Sequence, residues 1–541
     1  MTPSNSNAMT PGCAFFSRTP DSAFMPEDFV GDERLMIDTA EQFCRKEVLP
    51  VVERLDKQEE GLMPDLIRRA GELGFCGVDA PADYGGLGLG KNLAARILEF
   101  LSLNGSFSTT IGVTSGIGQV ALSLFGTEEQ KGRYLPRLAG GEWMGAYCLS
   151  EPDSGTDALS VASQAERKGD KWVLNGTKMW ITNAQWAQLF LVMAKVDGER
   201  FSAFLVERDT PGLTIGREEH KLGLKGSSTA RIILEDVEIP VENLLYEEGR
   251  GHVVALNALN LGRFKLSSMS IGPARHAIGI AATYALDRKQ FSQPIANFGL
   301  VQKKFATIAA LYFAAESMIY RTGAAIDEAF AAADGSVGGN RRAAEEMAVE
   351  CSVCKVFSTE AQALIVDEAL QCFGGYGFTE EFPIARHYRD ARVSRIYEGT
   401  NEINRVFISE RLRRLADHGR ASLTSTGDSF ISELAGQVMA PHPMHVDSSG
   451  RQHPTESGEQ IRAGAASDLV ILTYAEQSAR LRAGRLGGIQ EELYGCFLNW
   501  ANARAAEAFQ TATGCSVALP AAKSVDWGEI AESVYAKKAP L

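Results

Sequence analysis

The sequence predicts an α+β fold, mainly α: an N-terminal helical domain, a central antiparallel β domain, a C-terminal helical bundle and a small helical extension after it. Three observations predict it. Apolar residues recur at helical spacing from about residue 30 to 145 and again from about 250 to 415. Between these blocks lie short alternating or β-branched runs, punctuated by Asn-Gly, Asp-Gly and Pro-Gly. After a polar stretch at 440–460, helical patterning returns.

The elements follow in chain order, after an arm at 1–29. LMIDTAEQFCRKEVLPVVERL and MPDLIRRAGELGF carry the helical stripe of the first domain, 30–146. PADYGGLGLG interrupts it; lacking a GxGxxG register and a preceding strand, it reads as a turn and not a phosphate loop. KWVLNGTKMWIT, LFLVMAKV, FSAFLVERDTPGLTI and ARIILEDVEIP are the strands of the β domain, 147–245. The bundle spans 246–415, with ADGSVGGN as a loop joining two long helices. Residues 416–466 read as a linker and 467–541 as the extension. The first three blocks form one composite unit.

Apolar residues are 45% and charged residues 23% of the 541, ordinary for a globular chain. A net charge of -14 argues against a nucleic-acid surface, which needs a basic face. The first 28 residues lack a basic segment followed by an apolar run, and no stretch nears the roughly eighteen apolar residues of a membrane span, so the expected address is cytoplasmic. Nine scattered cysteines suit a reducing compartment. Cys351 and Cys354 have redox spacing, but in a long helical pattern they read as buried thiols on one face. His442 and His445, in the linker, read as solvated residues, and no metal site is expected.

Five segments can carry chemistry. In AYCLSEPDSGTD, residues 146–157, a strand-like piece runs into a turn of small residues, either a plain loop or a holder of an anion or heterocycle edge. In KMWITN, Trp180 and Thr182 share one side of a strand; the indole is either core or the wall of a planar, polar-rimmed ligand. ALDRKQFSQPIANFGLVQKK offers Arg288 and Phe291 as charge and stacking surface, and LNLGRFK puts Arg263 on a helix. RIYEGTNEINR places a lone acid, Glu398, between an aromatic residue and a Gly-Thr turn, with no histidine or cysteine nearby to make it a metal ligand.

In this order and spacing, these segments resemble the acyl-CoA dehydrogenase family. AYCLSEPDSGTD is similar to its first signature, and DEALQCFGGYGF with RHYRDARVSRIYEGTNEI to its second, over residues 30–415. LNLGRFK, QPIANFGLVQKK and the continuation past 415 resemble the very-long-chain branch.

The resemblance implies FAD-dependent α,β-dehydrogenation of a fatty acyl-CoA to the trans-2-enoyl-CoA, with hydride passing to FAD and electrons to electron-transfer flavoprotein. It makes Glu398 the base for the α proton. Some relatives carry the base at the position held here by Gly262, which cannot serve. It places the flavin against Tyr147, Cys148, Leu149, Ser150 and Thr156, with Trp180, Ile181 and Thr182 beside the ring. Arg288, Phe291 and Phe298 would reach the adenine half from a partner subunit, joined by Gln371, Gly374 and Gly375, with Thr400 and Glu402 completing the set. Ser292 stands where the family has glycine, and Gln290 replaces a hydroxyl, which puts individual contacts in question. Asn260 and Arg263 would meet the CoA moiety, with Thr156, Tyr397 and Gly399 also lining the substrate. A site shared between subunits implies a homodimer or homotetramer.

The Gly, Ser and Thr content of STTIGVTSGIGQVALSLFG, residues 108–126, leaves room for a long acyl tail or allows close helix packing. With the extension it favours long or very long chains. Arg480, Arg482 and Arg485 suit either peripheral contact with a membrane or dimer-stabilising packing. Rival readings are an acyl-CoA oxidase using dioxygen and an assembly protein descended from a dehydrogenase.

Overall fold

A computed structural model describes residues 19–418, 421, 423, 427–439 and 457–541. His442 and His445 lie outside the described residues. The N-terminal block is helical: α1 Gly31–Phe43, α2 Val52–Asp56, α3 Leu62–Glu72, α4 Lys91–Leu101, α5 Gly105–Val113, α6 Gln119–Phe125 and α7 Glu128–Ala139. The strands are β1 Gly145–Cys148, β2 Gln164–Lys168, β3 Lys171–Thr182, β4 Leu189–Val196, β5 Arg200–Glu207, β6 Leu213–Glu218, β7 Thr229–Pro240 and β8 Leu244–Leu245. The bundle follows as α8 Gly251–Asp287, the short hairpin β9 Lys289–Gln290 and β10 Gln293–Pro294, then α9 Gly299–Ala331, α10 Val337–Glu346, α11 Ala348–Phe373, α12 Pro383–Ala391 and α13 Asn401–Asp417. Beyond it lie α14 Phe430–Met439, α15 Ser457–Leu486, α16 Ile489–Thr513 and α17 Trp527–Lys537.

The sheet order is β6-β7-β3-β2-β4-β5-β8, and β1 also pairs with β4. It is mixed, where an antiparallel sheet was expected: β1 runs parallel to β4 from Gly145 opposite Leu189, and β2 runs parallel to it from Gln164 opposite Lys195. The two strands are successive pieces of one line beside β4, interrupted by residues 149–163. That interruption lifts the turn after Cys148 out of the ladder and, among the described residues, leaves the Gly155 and Thr156 N–H groups without a backbone partner.

Trp172, Phe190, Phe204 and Ile232 fill the core of the sheet domain. A second core runs without a break through the N-terminal helices, the bundle and the extension: Phe107, Phe264, Phe313, Leu469 and Phe497 all belong to it. Such continuity makes the extension part of the molecule's body.

Several boundaries differ from the sequence reading. The ADGSVGGN loop ends at Ser336, whose hydroxyl accepts the Gly339 N–H at 3.0 Å and so starts α10. The stretch read as a linker contains α14, anchored by buried Ile431, Leu434, Ala435 and Met439, and α15 begins ten residues before the expected start of the extension at 467. Residues 108–126 form two helices joined by a π-helical kink, Thr114–Gly118, with Gly116 at φ -98 and ψ -108.

The three extension arginines face their own chain. Arg482 pairs with Glu316 at 2.7 Å and with Glu27 at 2.6 Å, Arg480 pairs with Asp428 at 2.9 Å, and Arg485 pairs with Asp28. Arg482 is buried in its pairs, whereas Arg480 and Arg485 remain partly exposed. Among the described residues, no helix is long and apolar enough to cross a membrane.

Candidate active site

Glu398 sits in the turn between the end of α12 and α13, at φ +56, and Gly399 follows at φ +79. Two successive left-handed residues are costly for any side chain but glycine, so the surroundings must hold the turn. They do so with two cations. Arg263 Nε, from α8, donates to the Glu398 carbonyl at 3.1 Å, and Lys355 Nζ, from α11, donates to the Gly399 carbonyl at 2.8 Å. Asn404 Nδ2 adds a bond to the Gly399 carbonyl at 2.8 Å. A Cβ on Gly399 would lie 3.2 Å from both Asn404 Nδ2 and Ile403 Cγ2, so the neighbours press against this turn.

The turn leaves the functional atoms of Glu398 free. Its Oε2 is shut off from solvent and finds no hydrogen-bond partner. Burial pushes the carboxyl up to about 7, against the pull of Arg263 and Lys355. Nor does its backbone N–H donate to any group among the described residues. Tyr397, beside it, has its hydroxyl raised by burial and by Glu398, and bonds Thr109. Thr400 caps α13, accepting the Ile403 N–H at 3.2 Å, and Glu402 lies exposed in the first turn.

The second wall is the interrupted edge of the sheet. The Met179 N–H donates to the Ser150 carbonyl at 2.9 Å, which ties the turn to β3 one residue before Trp180. Beneath it, Lys178 Nζ is fully buried and joins the Leu149 carbonyl at 3.3 Å to Glu151 at 2.5 Å. Cys148, Leu149 and Ile181 are buried, Thr156 is exposed, and Thr182 ends β3 half-buried. Trp180 is 60% exposed at φ +59, so of the two readings of this indole the core one fails. Tyr147 carries a buried hydroxyl with no partner and feels the charge of Glu398. An uncovered indole, free backbone in the turn and orphaned polar atoms match the needs of a planar ligand with a polar rim.

The remaining candidates form a separate set on this chain. Arg288 lies 5.7 Å from the Tyr376 ring centroid, which joins the β9–β10 hairpin to the turn after α11 that holds Gly374 and Gly375. Phe291, at φ +50 and 90% exposed, meets Phe298 edge-on at 6.1 Å. Gln371 is exposed on the last turn of α11. Among the described residues, no hydrogen bond or ring contact joins this set to the Glu398 wall.

Arg263 and Asn260, the residues expected to meet the CoA moiety, are bonded to each other beneath the Glu398 turn. The Arg263 Nη1 donates to Asn260 Oδ1 at 3.2 Å and to Ser352 Oγ at 3.4 Å, and its guanidinium faces the Phe407 ring, so it is a brace of the Glu398 turn. Lys355 escaped the sequence reading altogether. Its signal was there: a charge in the middle of AVECSVCKVFS, a run otherwise fit for a buried helix.

A carboxylate poised near neutral pH beside a planar-ligand wall is equipment for moving a proton, and defines an enzyme. Family comparison agrees with the architecture. Residues 31–142, 146–237 and 249–413 match the acyl-CoA dehydrogenase N-terminal, middle and C-terminal domains in turn. A probable acyl-CoA dehydrogenase of Bacillus subtilis is 44% identical over 422 residues, 77% of this chain and 71% of that protein. The human mitochondrial very long-chain specific acyl-CoA dehydrogenase is 38% identical over 77% of this chain, which spans 61% of the human protein's length. A crystal structure of an acyl-CoA dehydrogenase complexed with FAD from Bacillus anthracis superposes with a TM-score of 0.88 at 36% identity, covering 98% of this chain and 100% of that one. The chain belongs to the acyl-CoA dehydrogenase family.

Proposed function

We propose that this chain is an FAD-dependent acyl-CoA dehydrogenase that introduces a trans-2 double bond into long or very long fatty acyl-CoA thioesters. The observation that carries the reading is Glu398: a carboxylate with a buried, unpartnered oxygen, raised to about 7, in a turn whose own N–H is unclaimed. Removal of an α proton needs a desolvated base whose pKa lies near the working pH. It also needs a donor where negative charge grows on the thioester oxygen, and the free Glu398 N–H is suited to that oxygen. One such donor stabilises the transition state by about 3 kcal/mol.

The flavin fits the wall of Tyr147, Cys148, Leu149, Ser150 and Thr156, with Trp180, Ile181 and Thr182 flanking its ring. When bound, it supplies the acceptor for the hydride that leaves the β carbon. Trp180 offers a face for stacking, and Thr182 and Ser150 offer hydroxyls to the polar rim. Arg288, Phe291, Phe298, Gln371, Gly374 and Gly375 serve the adenine half of a neighbouring subunit's cofactor, the reading that the 90% exposure of Phe291 supports, and Thr400 and Glu402 complete the cofactor set. The assembly is accordingly a homodimer or homotetramer. Tyr397 and Gly399 line the substrate, and electrons leave to an electron-transfer flavoprotein.

The names of the human, bovine and rat relatives support a long acyl chain. The test is a series of acyl-CoAs from C4 to C20 with an artificial electron acceptor, with peroxide release followed in parallel. Activity peaking at C14 or longer with little peroxide is expected. A short-chain peak overturns the length assignment, and rapid stoichiometric peroxide overturns the dehydrogenase reading in favour of an oxidase.

A further inference from the structure

The extension reaches the Glu398 turn through an unbroken series of bonded side chains. Lys355 Nζ donates to the Gly399 carbonyl at 2.8 Å and to Asn401 Oδ1 at 2.7 Å. Asn401 Nδ2 donates to Glu360 Oε1 at 3.0 Å and to Thr359 Oγ1 at 3.1 Å. Glu360 is held by Arg405 in a two-pronged bond, Nη1 to Oε1 at 2.8 Å and Nη2 to Oε2 at 2.9 Å. The third arm of that guanidinium, Nε, donates to Asp468 Oδ1 on α15 at 2.7 Å, and the neighbouring Ser467 hydroxyl donates to the Arg405 carbonyl at 2.6 Å.

A guanidinium bonded on two edges has its plane fixed, so the position of Asp468 sets the position of both Glu360 oxygens. Glu360 Oε1 in turn orients the Asn401 amide, and the amide's other end takes one of the Lys355 protons. Lys355 is fully buried, and the groups that face it are Glu398, Arg263, Glu360 and Glu402. Of the two basic side chains bracing the Glu398 turn, Arg263 is bonded within the bundle, whereas the series that starts at Lys355 continues through Asn401, Glu360 and Arg405 to the extension.

We propose that Asp468 is a positioning residue of the active site, through which the C-terminal extension seats Lys355 on the Gly399 carbonyl and so aims Glu398. The inference rests on Glu398 being the base. It gives the extension a catalytic purpose in addition to a packing one: a chain that lost this contact would fold with its base turn braced on one side only. Asp468 borders a cleft of about 1120 Å³ between α11, α13, α15 and α16, so a substitution there meets open space and not a packed core.

The test compares Asp468→Asn with Asp468→Glu in the FAD-loaded enzyme, using palmitoyl-CoA and an artificial acceptor. Asp468→Asn is expected to lower kcat roughly tenfold with KM within about twofold, since it disturbs aim and not binding. Lys355, whose own amine burial lowers to about 7, favours ionised Glu398 when it is charged; loosening it weakens that pull, so the acid limb of the kcat profile moves to higher pH. Asp468→Glu restores both. Wild-type kcat and an unmoved acid limb in Asp468→Asn would overturn the proposal. So would an equal loss in both variants that tracks reduced flavin content and melting temperature, the mark of packing alone. Glu398→Gln run alongside separates the two claims: if it stays active, the base assignment fails, and if it is inactive while Asp468→Asn is normal, only the positioning role fails.

Discussion

At the scale of single residues, the behaviour of Glu398 follows from where its charge has been put. Burial raises its carboxyl to about 7, so the fraction able to accept a proton climbs through neutrality, and kcat/KM should fall on the acid side with a midpoint near 7. The same shift acts on stability, with a definite sign. Between an ordinary value of 4.5 and about 7, the folded chain holds a proton that the unfolded chain has released, so folding loses stability as pH rises through that window. Glu398→Gln removes the penalty. Its melting temperature should exceed that of the wild type at pH 8, and the difference should vanish below pH 4.5; an equal gap at both pH values would count against a desolvated carboxylate. Glu398 was legible in the sequence because its motif is contiguous. Lys355 was not, because its purpose lies 44 positions further along, at the Gly399 carbonyl.

At the scale of elements, the extension is fastened by charges that sit far apart in sequence. Arg482 on α15 bonds Glu316 on α9 and reaches 455 positions back to Glu27. Removing one partner of a buried pair leaves the other charge desolvated, so Arg482→Met should cost about 3 kcal/mol, seen as a lower urea midpoint. A midpoint unchanged from the wild type would mean that Arg96, which also bonds Glu316 at 2.6 Å, suffices alone. Read locally, three arginines in one helix after an apolar run suit either a membrane surface or packing, and their intrachain partners are visible only in the fold. Helix α14 was missed for a related reason. FISELAGQVM is short and sits in a polar setting, and the α15 and α16 surfaces that bury Ile431 and Leu434 are not visible from its own residues. The kink at Thr114–Gly118 hid behind a helical pattern that continues across it.

At the scale of the whole molecule, the order of helical block, sheet and bundle was readable from periodicity alone, whereas the β1–β2 line beside β4 was not, since parallel pairing depends on where the chain returns. Phe291, Leu300 and Phe378 are 80% or more exposed, and the proposed assembly would cover them. Phe291→Asp, tolerated at φ +50, should shift the protein toward monomer in sedimentation velocity and lower flavin content in step; an intact oligomer with full flavin would detach this patch from the cofactor. The central claim remains that one carboxylate, held on a strained turn by Arg263 and Lys355, takes the α proton. The most direct measurement mixes flavin-loaded Glu398→Gln with palmitoyl-CoA in the absence of oxygen and follows the yellow flavin absorbance. Substrate should bind yet the colour persist, with bleaching slowed at least about a thousandfold against the wild type. Bleaching at the wild-type rate would place the base elsewhere.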